Sequence, residues 1–332
     1  MEVKPAGTLM LTRHDLRQLL GSEDYLQVAE TAFRAHAEGR VFKPALMHVD
    51  ADEGEFHIKA GGLRLERNYF ALKSNGGFFK NGANGFPPIQ GVVLLCDADN
   101  GYPLALMDST AITLGRTAAT TAAAARHLAR ENSHTVTICG CGNQGIEHLR
   151  YIKMVRPITK AYAWDSNQQK AEQFAARMSA ELAIEVIVTQ RLGDAVAKSD
   201  ICITCTSARQ PFLKPGHVHS GLFIAAVGAD SPDKQELDPA LLASATVVVD
   251  IVEQCAAVGE LHHAVAAGLM RIEDVHAELG EVLTGRKRGR ATDDEVIIFD
   301  ATGTALQDTA AAAAAYTRAL STGMGTCFDF FR

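Results

Sequence analysis

The segment from Thr137 to Gly145 has the spacing of a phosphate-binding loop. Gly140, Gly142 and Gly145 form a Gly-x-Gly-x-x-Gly pattern that follows an apolar run and opens a helical one. The first glycine permits a tight turn, the second lets the backbone approach a pyrophosphate, and the third lets the helix pack on its strand. The helix start offers free N–H groups to the phosphates. The pattern predicts a dinucleotide site; a packing turn without a nucleotide is the alternative.

An acidic residue at the expected distance strengthens this prediction. Asp165 follows the next apolar run, Ala161–Trp164. A carboxylate about 20 residues beyond such a loop accepts hydrogen bonds from the adenosine ribose and repels a 2′-phosphate. Ser166 and Asn167 follow it, and no arginine does. The sequence therefore favours NAD(H) over NADP(H).

Three charged residues are candidates for the chemistry of a small substrate. Hydride transfer needs a charge clamp near the nicotinamide and one group that exchanges a proton. Lys73 ends an apolar run, Arg116 lies early in an alanine-rich helical segment, and Asp230 follows the apolar run Phe223–Val227. Asp230 is best placed, because ligands bind at the carboxyl ends of parallel strands. A surface or structural charge is the alternative for each.

The cysteines and histidines do not predict a redox or metal site. Cys202 and Cys205 have Cys-x-x-Cys spacing, but in a strand their side chains point to opposite faces. His217-x-His219 and His262-His263 have no partners at zinc-site spacing. We expect buried thiols and no metal.

The first hundred residues predict one helix followed by strands. Ser22 could cap a helix over Glu23–Glu38, with Gly39 ending it. The turn clusters are Asn75-Gly76-Gly77, Asn81-Gly82 and Asp99-Asn100-Gly101. The predicted strands are Ala45–Asp50, Glu55–Ala60, Tyr69–Lys73, Val92–Asp97 and Pro103–Met107. Without long helices between them, an antiparallel or mixed sheet is favoured.

From Thr110 onward the pattern becomes α/β. Thr110–Arg130 is alanine-rich and predicts a helix. Short apolar runs then alternate with helical stretches, which is typical of a doubly wound parallel sheet. These runs are Val136–Cys139, Ala161–Trp164, Ile184–Val188, Ile201–Cys205, Phe223–Val227, Val247–Asp250 and Val296–Phe299. A last helix is expected over about residues 304–321.

Composition excludes several classes of protein. The chain has 332 residues, 47% of them apolar, and a net charge of −7. Wholesale disorder is excluded, and so is a basic surface for nucleic acid or anionic membrane. No apolar run approaches the length of a membrane helix, and the first residues lack a signal-peptide pattern. We expect a cytoplasmic protein with reduced thiols.

In combination, these segments resemble the ornithine cyclodeaminase/mu-crystallin family over nearly the whole chain. The segments that carry the resemblance are Gln90–Leu95, Gly101–Ala105, Arg116–Ala119, the glycine loop, Ala226–Asp230 with Lys234, Gly259-Glu260, Phe299–Gly303 and Ala305–Asp308. The resemblance implies a homodimer whose subunit is α/β, with a Rossmann-type doubly wound sheet inserted into an N-terminal α+β domain. It predicts a substrate-binding and dimerisation domain over 1–113 plus 306–332, and an NAD-binding domain over 114–305.

The resemblance also implies roles for individual residues. Lys73 and Arg116 would bind the substrate carboxylate, and beyond the family pattern we expect Lys59 to aid them. Asp230 would do acid/base work beside the nicotinamide, and Lys73 could share that role. The implied cofactor-binding residues are Gly140, Gly142, Asn143, Gln144, Gly145, Asp165, Thr206, Val227, Lys234 and Arg116.

Departures from the family pattern concern the substrate. Ornithine cyclodeaminases have an additional arginine that the stretch Lys43–His48 lacks, and a glutamate for the distal amino group where His57 stands here. An ammonium group without a carboxylate partner would be left unpaired in a desolvated pocket, at a cost of roughly 1–3 kcal/mol. This argues against ornithine and makes His57 a candidate substrate-binding residue.

Three functions remain open from the sequence. The leading hypothesis is an NAD(H)-dependent oxidoreductase acting on the C–N bond of a small L-amino or imino acid, such as a ketimine reductase or alanine dehydrogenase. The second is an ornithine or lysine cyclodeaminase that uses NAD⁺ catalytically and releases ammonia. The third is a non-catalytic protein that binds a nucleotide and a small ligand, as mu-crystallin-like proteins do.

Overall fold

The computed structural model describes residues 7–330, without the side chains of Phe79 and Ala83. The chain divides into two units, the first made of the chain up to Arg116 and after Gly303, the second of Thr117–Gly303. The sequence-based boundaries at 113/114 and 305/306 had placed Arg116 in the second unit. The structure places it in the first, with residues that follow Gly303.

The strands, in chain order, are β1 Thr8–Leu11, β2 Val41–Ala51, β3 Gly54–Arg64, β4 Asn68–Gly77, β5 Ile89–Asp97, β6 Pro103–Asp108, β7 Thr135–Cys139, β8 Lys160–Trp164, β9 Glu185–Val188, β10 Ile201–Thr204, β11 Arg209–Leu213, β12 Phe223–Ala226, β13 Gln235–Leu237, β14 Thr246–Val249, β15 Ala277–Glu278, β16 Ile297–Asp300 and β17 Thr326–Phe328. The α-helices are α1 Arg13–Leu19, α2 Ser22–Ala37, α3 Ser109–Leu128, α4 Asn143–Val155, α5 Gln168–Leu182, α6 Leu192–Val196, α7 Pro239–Ala243, α8 Val252–Val258, α9 Glu260–Ala266, α10 Leu279–Leu283 and α11 Ala305–Thr322. Short 3-10 helices cover Phe79–Asn84, Pro215–His217 and Ile272–Asp274. None of the helices within residues 7–330 is long and apolar enough to span a membrane.

The first unit contains a seven-stranded mixed sheet in the order β17-β1-β6-β5-β4-β3-β2. Its pairs are antiparallel except β1 with β6, which is parallel. A mixed or antiparallel sheet was predicted, but β1 and β17 were not. Both strands are short, and β17 is exposed along its length, so neither has the alternating apolar pattern of a half-buried strand.

Small residues allow α11 to pack closely on one face of this sheet. Helix α11 contacts β3, β4 and α2, and its alanines are largely buried. Thr309 donates a hydrogen bond of 3.1 Å to the carbonyl oxygen of Gly61 in β3. A Cβ at Gly61 would lie 3.1 Å from that of Ala305. A larger side chain at either position would push the helix off the sheet and away from the residues it positions.

Two local predictions in this unit are wrong. Ser22 was predicted to cap helix α2, but the helix already includes Ser22, and Gly21 is its N-cap. The Asp24 carboxylate accepts the Gly21 N–H at 2.8 Å, which stabilises this earlier start. Asn75-Gly76-Gly77 is not a turn: β4 continues through Gly77, paired with β3 and β5. At Gly76 a Cβ would lie 3.2–3.3 Å from the rings of Phe78 and Phe56, so the glycine makes room for aromatic packing.

The second unit is the predicted doubly wound parallel sheet, in the order β15-β14-β16-β12-β10-β7-β8-β9. From β7 the chain adds β8 and β9 on one side of this strand and then returns to add β10 on its other side. The strand order therefore reverses between the neighbouring strands β7 and β10, and such a topological switch point is where these sheets bind ligands. The glycine loop follows β7 and Thr206 follows β10, so both lie at this point.

Buried carboxyl groups lie near the carboxyl end of β16. Asp300 is fully buried, and its Oδ2 accepts the Leu261 N–H at 2.9 Å. Burial, with a smaller contribution from the nearby Asp250, raises the pKa of Asp300 to about 7. The group is therefore protonated in the folded protein at a pH where it ionises in the unfolded chain. Its contribution to stability is complete below about pH 4 and is lost as the pH rises through 7.

We expect Asp300→Asn to become more stable relative to the wild type as the pH rises, because asparagine stays neutral. The relative gain in the free energy of unfolding should be about 1–3 kcal/mol between pH 5 and pH 8. Urea unfolding at both values measures it. The exposed Asp293→Asn is the control and should show no such trend. A constant difference between Asp300→Asn and wild type at the two pH values would contradict the assignment.

Candidate functional site

Four charged residues of the first unit form a buried cluster. Lys59 in β3 and Lys73 in β4 are directly opposite in the strand register and therefore share a face of the sheet. Arg116 comes from α3 and Asp308 from α11. All four are at most 5% exposed. Buried charged groups are costly unless groups of opposite charge or hydrogen bonds compensate them, and in this cluster the cations and the carboxylate compensate one another.

Asp308 connects the two predicted substrate cations. Its Oδ2 lies 2.7 Å from the Lys73 Nζ, and its Oδ1 lies 3.2 Å from the Arg116 Nε. Arg116 also donates a hydrogen bond of 2.8 Å from Nη1 to Gln307 Oε1. The same oxygen accepts the Thr304 N–H at 2.9 Å, where α11 begins. The start of α11 thus fixes the guanidinium and the ammonium group together.

The electrostatics of the cluster suit an anionic ligand. Burial lowers the pKa of Lys73 to about 7, against the opposing effect of Asp308. Burial alone would raise the pKa of Asp308, but Lys73 and Arg116 hold it below its ordinary value. Two lysines and one arginine therefore lie around one ionised carboxylate, and Lys73 is mainly protonated below about pH 7. A carboxylate of a bound molecule would be attracted to this cluster and would favour the protonated form of Lys73.

Gln307 and Asp308 were not predicted as functional residues, although both belong to a segment that carried the family resemblance. The available signal was a charged residue in the first turn of an otherwise apolar, alanine-rich helix. A buried carboxylate in such a helix must face cations. Sequence reasoning could not identify those cations, because Lys73 and Arg116 are far from it along the chain.

His57 lies on the same face of β3 as Lys59, two residues away, and opposite His48 of β2. Its Nε2 is 3.0 Å from Glu55 Oε1. The side chain is largely shielded, at 14% exposure. The structure thus brings His57 onto the sheet face of the lysines, and its role in substrate binding stays a prediction.

In the second unit the glycine loop has the geometry that its spacing predicted. Gly140 has a φ of +104°, and a Cβ there would lie 3.0 Å from the Cys205 carbonyl oxygen. A Cβ at Gly145 would lie 2.2 Å from the Gly140 carbonyl oxygen, so the turn closes only with glycine. At Gly142 a Cβ would meet nothing within 4 Å. The space beside Gly142, at the start of α4, is open for a ligand.

The residues around this loop fit a dinucleotide. Asp165 accepts the Cys141 N–H and the Asn167 N–H, each at 2.8 Å, so its carboxylate lies beside the loop. Asn143 is exposed at the first position of α4. Within residues 7–330, the Gln144 Oε1 is buried without a hydrogen-bond partner. A buried acceptor of this kind calls for a donor from a ligand or water.

Glu236 connects the carboxyl ends of β10 and β12. Sequence reasoning did not identify this residue. Its carboxylate accepts hydrogen bonds from the hydroxyls of Thr204 and Thr206 and from the backbone N–H groups of Thr206 and Gly228, at 2.6–3.0 Å. Burial raises the pKa of Glu236, while these donors favour its ionised form. The carboxylate therefore joins the loops that follow β10 and β12.

Asp230 and Lys234 form an ion pair in the loop after β12. The Lys234 Nζ lies 2.6 Å from the Asp230 Oδ1, and the Asp230 side chain is 34% exposed. Val227, directly after β12, donates its N–H to the Thr204 carbonyl oxygen at 2.9 Å. The pair places a solvent-accessible carboxylate at the carboxyl end of a parallel strand, as predicted for Asp230.

The cysteines near this loop are not arranged as a redox pair. The Cys202 Sγ lies 4.0 Å from the Cys139 Sγ, whereas the Cys205 Sγ points to the carbonyl oxygens of Cys139 and Gly140. Burial raises the pKa values of Cys139, Cys141 and Cys205. All cysteines in the described part of the chain are free thiols.

We expect Asp308→Asn to lower the free energy of unfolding by about 3–5 kcal/mol, because it leaves buried cations without their shared carboxylate. Urea unfolding at pH 6, where Lys73 is protonated, measures the loss. Asp194→Asn is the matched control: its ion pair with Arg191 is exposed, and its loss should cost less than about 1 kcal/mol. Equal stability of Asp308→Asn and Asp194→Asn would show that Asp308 does not hold the cluster together.

Comparisons with known proteins agree on one family. The family model described as the ornithine cyclodeaminase/mu-crystallin family matches residues 6–323. The chain is 35% identical over 325 residues to an alanine dehydrogenase of Archaeoglobus fulgidus, covering 98% of this chain and 99% of the relative.

Solved structures also match over nearly the whole chain, among them two with bound nicotinamide cofactor. An archaeal alanine dehydrogenase dimer with bound NAD has a TM-score of 0.92 at 36% identity, covering 98% of this chain and 99% of that one. A Thermococcus litoralis Δ1-pyrroline-2-carboxylate reductase with NADH and L-proline has a TM-score of 0.92 at 32% identity, covering 97% and 100%. With residues 6–323 matched, the chain belongs to the ornithine cyclodeaminase/mu-crystallin family.

Proposed function

We propose that this protein is an NAD(H)-dependent oxidoreductase that interconverts a small L-amino acid and the corresponding imino acid. The observation that carries the proposal is the buried cluster in which Asp308 holds Lys73 and Arg116, because it is built to receive a carboxylate. The family relatives named as an alanine dehydrogenase and a pyrroline-2-carboxylate reductase support the same class of reaction. Lys59 adds a third cation on the same sheet face.

The second unit would hold the dinucleotide. Gly140, Gly142, Gly145, Asn143 and Gln144 would contact it at the loop. Thr206 follows β10, Val227 follows β12, and Lys234 lies in the loop after Val227. Arg116, a residue of the first unit, stays a candidate cofactor contact on the family resemblance alone. When bound, NAD(H) supplies or accepts the hydride. The Asp165 carboxylate favours NAD(H), because it would repel a 2′-phosphate.

Asp230 would exchange the proton at the substrate nitrogen. Its carboxylate is solvent-accessible, and the Lys234 ammonium group 2.6 Å away keeps it in position. Lys73 and Arg116 would bind and orient the substrate carboxylate, and the Lys73 pKa of about 7 allows that lysine to share the proton exchange.

The purified chain should oxidise NADH in the presence of a cyclic ketimine or of pyruvate with ammonia. We expect Asp230→Asn to lower turnover by about 10²–10⁴-fold, the usual contribution of a positioned acid or base, and to retain NADH binding. The assay follows NADH absorbance, and fluorescence titration follows binding, with NADPH tested separately. Asp233→Asn, three positions along the same loop, is the control and should keep wild-type turnover.

Other results of this screen would favour the other hypotheses. Ammonia release from ornithine or lysine without net change in NADH would indicate a cyclodeaminase. NADH binding without turnover on any amino or imino acid would indicate a binding protein. Wild-type turnover in Asp230→Asn would remove Asp230 from the mechanism.

We also propose that the chain forms a homodimer through the sheet of the first unit. Helix α11 packs on one face of this sheet, and Met47, Val49, Phe56 and Val92, which are 39–52% exposed, point to the other. An apolar sheet face of this kind favours association. One of the solved relatives is described as a dimer.

We expect wild-type protein to have the mass of a dimer in light scattering and Met47→Glu/Val49→Glu to be shifted to monomer, because two charges would be buried in the interface. Leu269→Glu is the matched control, since Leu269 is also exposed, at 51%, but lies in the second unit. A monomeric wild type, or a double variant that stays dimeric, would rule out this surface.

A further inference from the structure

The hairpin β2–β3 carries four polar side chains in a mirrored arrangement. His48 is directly opposite His57, and Asp50 is directly opposite Glu55. Residues two apart on a strand share a face, and so do residues directly opposite each other. The two imidazoles and two carboxylates therefore lie on one face at the end of the hairpin. Along the chain this appears as His-x-Asp, then the turn at Asp52-Glu53, then Glu-x-His.

Three of these groups lie close enough together to be brought around one ion. Glu55 Oε1 lies 3.0 Å from His57 Nε2, and Glu55 Oε2 lies 3.7 Å from His48 Nε2. One ligand atom from each of the three residues lies within 4.8 Å of the others. Ligands about 2.0–2.1 Å from a tetrahedral zinc ion are separated by roughly 3.3 Å. The three side chains thus need only small movements to share a cation.

The carboxylates of this group and the exposure of its side chains also suit a bound cation. Like charges directly opposite each other destabilise a strand pair, yet Asp50 and Glu55 occupy such positions. The Asp50 Oδ1 lies 3.0 Å from His48 Nε2, which adds a second carboxylate beside the imidazoles. The side chains of His48, Glu55 and His57 are 14–34% exposed, so an ion can reach them from solvent.

We propose that His48, Glu55 and His57 form a binding site for a single zinc-type divalent cation. Two imidazole nitrogens and one carboxylate are donors that zinc accepts, whereas Mg²⁺ and Ca²⁺ prefer oxygen ligands. The fourth position would be open to water or to Asp50. The cation would join β2 to β3 at the end of the hairpin and engage the His57 Nε2, so that any effect of His57 on substrate would depend on the metal.

Zinc titration of the full-length protein tests the site. Chelator-treated wild-type protein should bind one Zn²⁺ per chain in calorimetry, and Co²⁺ should give the visible absorption bands of a four-coordinate site. His48→Gln and Glu55→Gln should each weaken zinc binding by at least about tenfold. His48 is the preferred variant, because it has no assigned role in substrate binding.

Matched controls separate this site from other histidines and carboxylates. His14→Gln, at an exposed histidine of α1, and Asp52→Asn, in the hairpin turn, should bind zinc as the wild type does. Wild-type protein that takes up no zinc, or His48→Gln and Glu55→Gln that bind it unchanged, would overturn the proposal. Because binding is measured without turnover, either result is independent of the proposed reductase function.

Discussion

The carboxylate of Asp308 is the interaction on which the first unit depends. It lies between the Lys73 ammonium and the Arg116 guanidinium, and all three groups are buried. Burying cations is costly unless carboxylates and hydrogen bonds compensate them. Asp308 provides that compensation and leaves the cluster with an excess of positive charge. Asp308 therefore makes the burial of these cations possible without neutralising all of them, and the surplus positive charge is what would attract an anionic ligand.

Close packing by small residues makes this arrangement possible. Asp308 and Gln307 reach the cations only because α11 lies directly on the sheet, where Ala305 packs near Gly61. The hydrogen bond from Thr309 to the Gly61 carbonyl oxygen holds the helix at this distance. The second unit uses the same means, since Gly140 and Gly145 let the loop turn tightly enough to open space at Gly142. In both units, alanine and glycine residues let backbone segments come close together, and this close approach places the candidate functional groups.

Much of the second unit could be predicted because its signals are local. The glycine spacing, the apolar runs and the acid after β8 each depend on residues close together in the chain. The first unit was less accessible. Asn75-Gly76-Gly77 has the composition of a turn, yet pairing with strands on both sides makes it part of β4. The strands β1 and β17 have little pattern of their own: β1 forms by pairing with β6, and β17 forms by pairing with β1. Tertiary contacts override local propensity in such segments.

The sequence by itself determined the glycine loop, the alternation of strands and helices in the second unit, and the choice of Lys73, Arg116 and Asp230 as candidate residues. Only the tertiary structure decided which charges meet. Asp308 contacts Lys73 and Arg116 across long separations in the chain, and His48 faces His57 through the register of two antiparallel strands. Register and helix packing depend on the whole hydrophobic core, so a local pattern cannot specify them. The candidate residues could therefore be chosen from the sequence, whereas the residues that they contact could be identified only in the folded structure.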